Sequence, residues 1–473
     1  MNDFLASRRD WLKYAASLAS SGFMLHQTPM AMADSPAPVG NAVTLVADPT
    51  RTLFRVRVEM DVEGNVNVPR NALVSKEKAT QYPLKATSVL DWEERILGFG
   101  DDRTAAAAER YFHEGRSVAG KREMKLRDQS QQVLVRRMGD EWVTYSRDAY
   151  LSGQELELLE LPASSLAVDG LLPSSPVAQG DTYQPSKELL VKLLSLASIE
   201  ETDVVGVIDT LDDKQAKIHF KGKVQGSIGG VPTVIDLVGK MVFDRQTAST
   251  SWLALAIRES REIGKSKPGF EVAATVKMIR KPLDAPARLS LIPPASPDGP
   301  VPPERLFCEL SSTAVGFSCL MDRRWTMMAD APGASMMRMI DSDRGIGQCD
   351  LRPAGKMAAG TQLTMSAFIT ETQQSLGKRM GQLLESKEEV NGAGLRVLKV
   401  AIQGAVEGVP VQWIFLHFSD DSGRRVIATM TVASSDLDAF AGADVQLASS
   451  FRFIPTEEEQ SEIAQKPGNA KIK

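Results

Sequence analysis

The histidines and acidic pairs are the side chains of this chain that could carry acid–base chemistry or bind a metal. His113, His219 and His417 lie far apart, and none has a second histidine or a cysteine at the spacing of a zinc site. Acidic pairs such as Glu93-Glu94 fall on polar faces or in turns, and no nucleophile elbow, phosphate loop or dinucleotide fingerprint occurs. The sequence therefore predicts no catalytic residue, no cofactor and no metal, with each of these three histidines in a structural role.

A basic cluster is the first candidate for binding. Between positions 110 and 137, eight basic side chains stand against three acidic ones, although the whole chain has a net charge of −5. Such a strand face could bind an anionic polymer, a lipid headgroup or an acidic envelope protein, and ordinary solvated strand faces are the alternative. The acidic balance of the chain argues against nucleic acid as a partner. The candidate residues are Arg116, Lys121, Arg122, Lys125, Arg127, Arg136 and Arg137.

Sulfur side chains form the second candidate. The cysteines are Cys308, Cys319 and Cys349, and six methionines lie between the last two. Thioethers and thiolates suit Cu(I), but methionine also fills cores, and no histidine accompanies this cluster. We therefore favour core packing over copper. A tight turn would set Cys308 opposite Cys319, so in an oxidising compartment a disulfide between them is favoured over a copper site.

The first 33 residues have the pattern of an export signal. Arg8-Arg9 precedes a mild apolar run of about 12 residues, which is shorter than the roughly 20 that a membrane span needs. Small residues at Ala31 and Ala33 suit a signal peptidase that cleaves after Ala33. The segment resembles the twin-arginine consensus, with Trp11 where phenylalanine is usual. This resemblance implies a periplasmic or extracellular protein with no membrane anchor after processing.

Residues 43–280 show the patterning of antiparallel β-structure. Apolar and polar side chains alternate in two blocks, 50–160 and 200–280, and a helix that begins after Ser186 carries a leucine stripe. We expect one or more curved sheets with this helix on the concave face. The pattern resembles, loosely, the half-barrel of LolA-like lipoprotein carriers, which implies a site for lipids or other apolar ligands. Eight prolines then mark 281–305 as a semi-rigid linker.

Residues 306–455 predict a different domain, followed by a charged tail at 456–473 that we expect to be disordered. The elements predicted for residues 306–455 are, in order, an opening hairpin, a helix through Leu376, Met380, Leu383 and Leu384, three strands and a last helix near Ser435. This order is typical of an α+β sandwich and resembles the PsbP-like fold. The predicted fold class of the chain is therefore α+β. The resemblance implies a non-enzymatic subunit or adaptor and transfers no catalytic residue.

Three functions are compatible with these patterns. The first is an exported, non-catalytic binding or scaffold protein of the bacterial cell envelope. The second is a carrier of lipids or other apolar ligands, which requires a large apolar cavity in residues 43–280. The third is a hydrolase whose catalytic residues are dispersed in sequence and leave no local motif.

Overall fold

The computed structural model describes residues 42–69, 79–100, 104–139, 141–264, 267–296 and 299–456. The proposed signal with Arg8, Arg9 and Ala33 lies outside the described residues, as does the tail after residue 456. The described chain forms two compact units, 42–305 and 306–456. Strands make up 56% of the structure and helices 15%, in three antiparallel sheets, so the protein is mostly β and the predicted α+β class is wrong.

The first unit is built on one sheet of thirteen antiparallel strands. The strands run in the order β6-β5-β3-β2-β1-β13-β12-β11-β10-β9-β7, with β4 beside β3 and β8 beside β10. Because β1 pairs with β13, the two predicted β blocks are the two halves of one sheet. The strands are β1 Leu53–Pro69, β2 Ala79–Phe99, β3 Ala105–Ala119, β4 Arg122–Lys125, β5 Gln132–Met138, β6 Glu141–Ser146, β7 Thr182–Tyr183, β8 Ser198–Thr202, β9 Val205–Leu211, β10 Gln215–Ile228, β11 Val231–Asp244, β12 Ser249–Arg261 and β13 Gly269–Pro282.

The period-two alternation of each strand divides this sheet into an inner and an outer face. On β1, Phe54, Val56 and Val58 are buried on the inner face, while Arg55 and Arg57 point to the outer face. Since a slip by one residue would exchange the two faces, this alternation fixes the register of the sheet.

An insert between β6 and β9, residues 151–196, covers part of the inner face. It holds two short helices, α1 Gly153–Leu159 and α2 Lys187–Leu194, rather than the single helix predicted. The Ser186 hydroxyl accepts from the Leu189 backbone N–H at 3.2 Å, which confirms the predicted start of α2. Leucines of the insert are buried, and they are Leu151, Leu156, Leu158, Leu171, Leu189, Leu190, Leu193 and Leu194.

The proline-rich segment, predicted as a linker, packs on the outer face of the first unit. The buried Glu93 carboxylate accepts from the backbone N–H groups of Arg288 and Leu289, and buried Glu109 accepts from Ala295 at 2.9 Å. Burial raises the pKa of Glu93, but hydrogen bonds from Leu289, His113 and Arg288 outweigh this effect and leave that pKa below its usual value. Two buried carboxylates thus provide the hydrogen-bond acceptors that hold the segment in place.

The second unit contains two sheets. The smaller has the order β14-β15-β23, and the larger has seven strands in the order β16-β17-β18-β22-β21-β20-β19. No described helix is both long and apolar enough to span a bilayer. The elements are β14 Phe307–Ser312, β15 Phe317–Asp322, β16 Trp325–Ala331, β17 Ala334–Asp341, β18 Arg344–Ala354, α3 Met365–Leu376, β19 Met380–Val390, β20 Arg396–Val406, β21 Val409–Ser419, β22 Arg425–Ala433, α4 Leu437–Phe440, α5 Ala443–Ser450 and β23 Arg452–Phe453.

Two differences overturn the α+β prediction for the second unit. The helix predicted through Leu376 and Leu384 ends at Leu376, because Gly377 follows with a φ of 52°. The residues after it form the edge strand β19, which pairs with β20. In addition, the methionine-rich stretch forms the strands β16, β17 and β18, which the sequence did not predict.

Candidate functional site

The predicted basic cluster does not form one free surface. The Arg127 guanidinium binds the buried Glu155 carboxylate at 2.7 Å, and the Arg136 guanidinium donates to the Tyr145 hydroxyl at 3.0 Å. These two arginines therefore stabilise buried structure. Burial raises the pKa of Glu155, but Arg127 and the Ser152 backbone N–H outweigh it and lower that pKa overall.

The remaining members of the cluster lie at the surface with different neighbours. Arg116 contacts Glu114 at 2.8 Å, Lys125 contacts Glu123 at 3.2 Å, and Arg137 donates to the Gly139 carbonyl at 3.1 Å. Lys121 and Arg122 are exposed at the turn between β3 and β4. The cluster is thus divided among several local roles.

The three cysteines are buried in the second unit, and the described structure joins no two of them in a disulfide. The strand register sets Met321 opposite Cys308 and Leu310 opposite Cys319, so the two thiols occupy diagonal positions, and the Cys308–Cys319 disulfide stays a prediction. Burial, followed by the neighbouring thiol of Cys308, raises the pKa of Cys319, and burial likewise raises that of Cys349. Protonated thiols are poor nucleophiles and poor metal ligands. Among the described residues, no three His, Cys, Asp or Glu side chains converge as a metal site.

Each of the three histidines in the described part of the chain has a polar partner. His113 contacts Glu93 at 2.8 Å, and His219 contacts Asp209 at 2.6 Å. His417 is fully buried, and its Nε2 accepts from Arg425 at 3.0 Å. Burial, helped by the charges of Arg425 and Arg396, lowers the pKa of His417 to about 4, so this imidazole is neutral at physiological pH.

The insert makes its first polar contact with the inner face at a buried ion pair of the sheet. Arg110 of β3 donates to the Glu94 carboxylate of β2 at 2.8 Å, and the Ser165 hydroxyl of the insert donates to the same oxygen at 2.8 Å. The indole of Trp92 also donates to this carboxylate, at 3.2 Å. Both members of the pair are almost fully buried, so each depends on the other for charge compensation.

A second buried ion pair lies nearer the start of β1. Asp169 of the insert contacts the Arg280 guanidinium of β13 at 2.6 Å and accepts from the Thr250 backbone N–H at 3.0 Å. The guanidinium also stacks on the Phe54 ring, 3.6 Å from its centroid. The insert is therefore fixed to strands from both halves of the sheet.

Two clefts flank Leu172, beside this second ion pair. The larger, about 570 Å³, is bordered by the loop from Pro173 to Val177, with Tyr183 and Lys192 in its wall. The smaller, about 180 Å³, has Arg280 and Asp169 in its wall together with apolar residues. Those apolar residues are Val46, Phe54, Phe99 and Leu172. An apolar pocket with a few fixed polar groups is the usual form of a small-molecule site, so we take the smaller cleft as the candidate site.

Sequence reasoning did not identify the residues of this cleft. Asp169 and Arg280 are 111 positions apart, and neither belongs to a recognisable motif. Arg280 follows the buried positions Val276 and Met278 at a spacing of two, which places it on the inner face once β13 is known to be a strand. A charged residue at a buried strand position is the local signal by which the sequence could have indicated this cleft.

No family model and no curated protein matches the chain. Among solved structures, it is similar to a cyanobacterial PsbP (CyanoP) from Synechocystis sp. PCC 6803, at 16% identity and a TM-score of 0.25, over 33% of this chain and 99% of that one. It is also similar to PA94 from Pseudomonas aeruginosa, a protein of unknown function, at 13% identity and a TM-score of 0.20, over 32% of this chain and 99% of that one. The immunity protein TplEi of Pseudomonas aeruginosa aligns at 12% identity and a TM-score of 0.20, over 47% of this chain and 74% of that one.

Proposed function

We propose that this chain is an exported, non-catalytic binding protein of the bacterial cell envelope, and that its first unit binds an apolar or amphipathic ligand in the cleft of about 180 Å³. The observation that supports this proposal is the combination of apolar walls with a fixed ion pair, Asp169–Arg280. Val46 and Phe99 at this cleft remain 45% and 36% exposed, although burying them would be favourable. A ligand with an apolar group would cover them.

The size of the cleft limits what it can hold. A carrier that encloses a whole lipid needs a cavity of several hundred Å³. Here leucines of the insert are buried against the sheet, and the apolar cleft beside Leu172 measures about 180 Å³, while the larger cleft of about 570 Å³ has the polar residues Asp181, Gln184 and Lys192 in its wall. A binding protein that takes up a small ligand, or one end of a larger one, fits this volume better than a LolA-like carrier does.

A fluorescence titration tests the ligand proposal. We expect the full chain to bind anilinonaphthalene sulfonate, an amphipathic anion, and Phe99→Ser to weaken this binding roughly tenfold through the loss of an apolar contact. Val409→Ser removes a similarly exposed apolar side chain from the second unit and is the matched control. Equal binding by wild type and both variants would place the probe elsewhere and refute the proposed site.

Export by the twin-arginine route is a separate prediction that rests on Arg8 and Arg9. In a bacterial host with this pathway, the wild-type chain should appear in the periplasm with Asp34 as its first residue. The Arg8→Lys/Arg9→Lys variant should remain in the cytoplasm at full length, whereas Arg122→Lys, at an exposed position, should be exported normally. Cell fractionation followed by mass determination of the intact protein measures both properties. Export of the double-lysine variant at the wild-type level would contradict the assigned route.

A further inference from the structure

The outer face of β10 to β13 carries a set of basic and apolar side chains that the candidate cleft does not use. Antiparallel pairing aligns these four strands in rows, for example Lys217, Val242, Trp252 and Ile279. The next row contains His219, Lys240, Ala254 and Lys277. Two further rows complete the set, which we name the basic face, and they contain Lys221, Val238, Ala256, Thr275, Lys223, Asp236, Arg258 and Ala273.

The charge of the basic face is opposite in sign to that of the whole chain. Its sixteen side chains include six basic residues and one acidic residue, a net charge of +5, whereas the chain carries −5. The acidic member, Asp236, lies between Lys223 and Arg258 in its row. In the part of the chain that the structure describes, Lys217, Lys221, Lys240 and Lys277 form no ion pair and are exposed. Glu59 of β1 lies opposite Lys277, but its carboxylate contacts Arg57 at 2.9 Å, so the charge of the four lysines is available to an anionic partner.

Apolar side chains lie among these lysines. Val238 is 48% exposed and Ile279 is 44% exposed. Trp252 pairs directly with Ile279 across β12 and β13 and is half-buried. Tryptophan beside lysine is the combination enriched where a protein meets the headgroup region of a bilayer, because the indole is amphipathic and the lysine stem is apolar.

The composition of the basic face distinguishes a lipid surface from an acidic protein. Protein interfaces are enriched in arginine and depleted in lysine, because the guanidinium forms directed, bidentate hydrogen bonds. Five of the six basic residues here are lysines. Attraction to anionic lipid headgroups depends on charge rather than on such geometry, and each lysine contributes to it. The lysine-rich composition therefore favours a membrane surface.

We propose that the basic face docks on the surface of an anionic phospholipid bilayer, with the lysines above the headgroups and with Trp252 and Ile279 at the lipid interface. The contact is peripheral and reversible, and high salt weakens it because the charges are solvent-exposed. This proposal does not depend on the cleft of the first unit or on its ligand.

Vesicle sedimentation with the full chain lacking residues 1–33 tests the proposal. We expect binding to vesicles of equal parts phosphatidylglycerol and phosphatidylcholine, and little binding to pure phosphatidylcholine. Each lysine is expected to contribute about fivefold to the partition coefficient, so Lys240→Gln/Lys277→Gln should bind roughly 25-fold more weakly. Lys121→Gln/Arg122→Gln removes the same charge at the turn between β3 and β4 and should bind like wild type.

Tryptophan emission supplies the second measurement. Addition of the anionic vesicles should shift the emission of the protein to the blue, and Trp252→Phe should abolish most of this shift. Loss of binding by both double variants to the same extent would overturn the proposal. Soluble polyglutamate that binds as tightly as the vesicles, with no change in Trp252 emission, would also overturn it and would assign the face to an acidic protein.

Discussion

Replacement of Arg110 by methionine is expected to lower the unfolding free energy of the first unit by about 3–5 kcal/mol. The change leaves the Glu94 carboxylate without its cation in a fully buried position, where Ser165 and Trp92 supply only neutral donors. An uncompensated buried charge costs far more than the lost hydrogen bond itself. Hydrogen exchange of peptides from β2 and β3 in the full chain measures the loss in the first unit directly.

Two further variants test whether the loss of stability in Arg110→Met arises from leaving a buried charge without its partner. Arg57→Met removes an arginine that contacts Asp91 and Glu114 on the outer face, but its side chain is 37% exposed, so we expect a loss below about 1 kcal/mol. The double variant Glu94→Leu/Arg110→Met removes both charges and should regain much of the lost stability. A loss for Arg110→Met no larger than that for Arg57→Met would show that the buried pair does not control the stability of this unit.

The strands of the first unit could be predicted from sequence, but the partners of their buried charges could not. Alternation along β1 and β10 indicates which side chains face inward, and the structure has Phe54, Val56, Ile218 and Phe220 buried as expected. Arg110 begins the basic cluster of positions 110–137, for which the sequence predicts an exposed strand face because a charged side chain usually faces water. It is buried because Glu94 and Ser165 reach it from 16 and 55 positions away, and no local pattern reveals such distances.

For the same physical reason, the sequence did not predict the basic face or the candidate cleft. The alternation of Lys217, His219 and Lys221 was visible, but a single strand with basic residues is only a solvated face. The basic face exists because cross-strand pairing sets Trp252 beside Val242 and Ile279. The register between strands that are distant in sequence creates this surface, as it creates the cleft at Asp169 and Arg280.

The second unit is expected to lose stability in mild acid because of His417. Its imidazole is buried under the Phe368 ring, it accepts from Arg425, and the Arg396 charge is near enough to oppose protonation. The pKa falls from 6.5 to about 4, so the folded protein resists a proton that the unfolded chain accepts readily. Above pH 6.5 the imidazole is neutral in both the folded and the unfolded chain, so it costs no stability. As the pH falls from 6.5 to about 4, the unfolded chain binds a proton that the folded protein does not, and the free energy of unfolding decreases by about 3 kcal/mol in total.

Hydrogen exchange of β20 to β22 in the full chain, measured between neutral pH and pH 4 and corrected for intrinsic exchange rates, tests this expectation. His417→Gln can still accept a hydrogen bond from Arg425 through its side-chain oxygen but cannot titrate, so the free energy of opening should depend much less on pH in this variant. His219→Gln removes a titratable group that contacts Asp209 in the first unit and should leave the profile of β20 to β22 as in wild type. If His417→Gln and wild type lose the same free energy between neutral pH and pH 4, the acid sensitivity arises from the carboxylates and not from this imidazole.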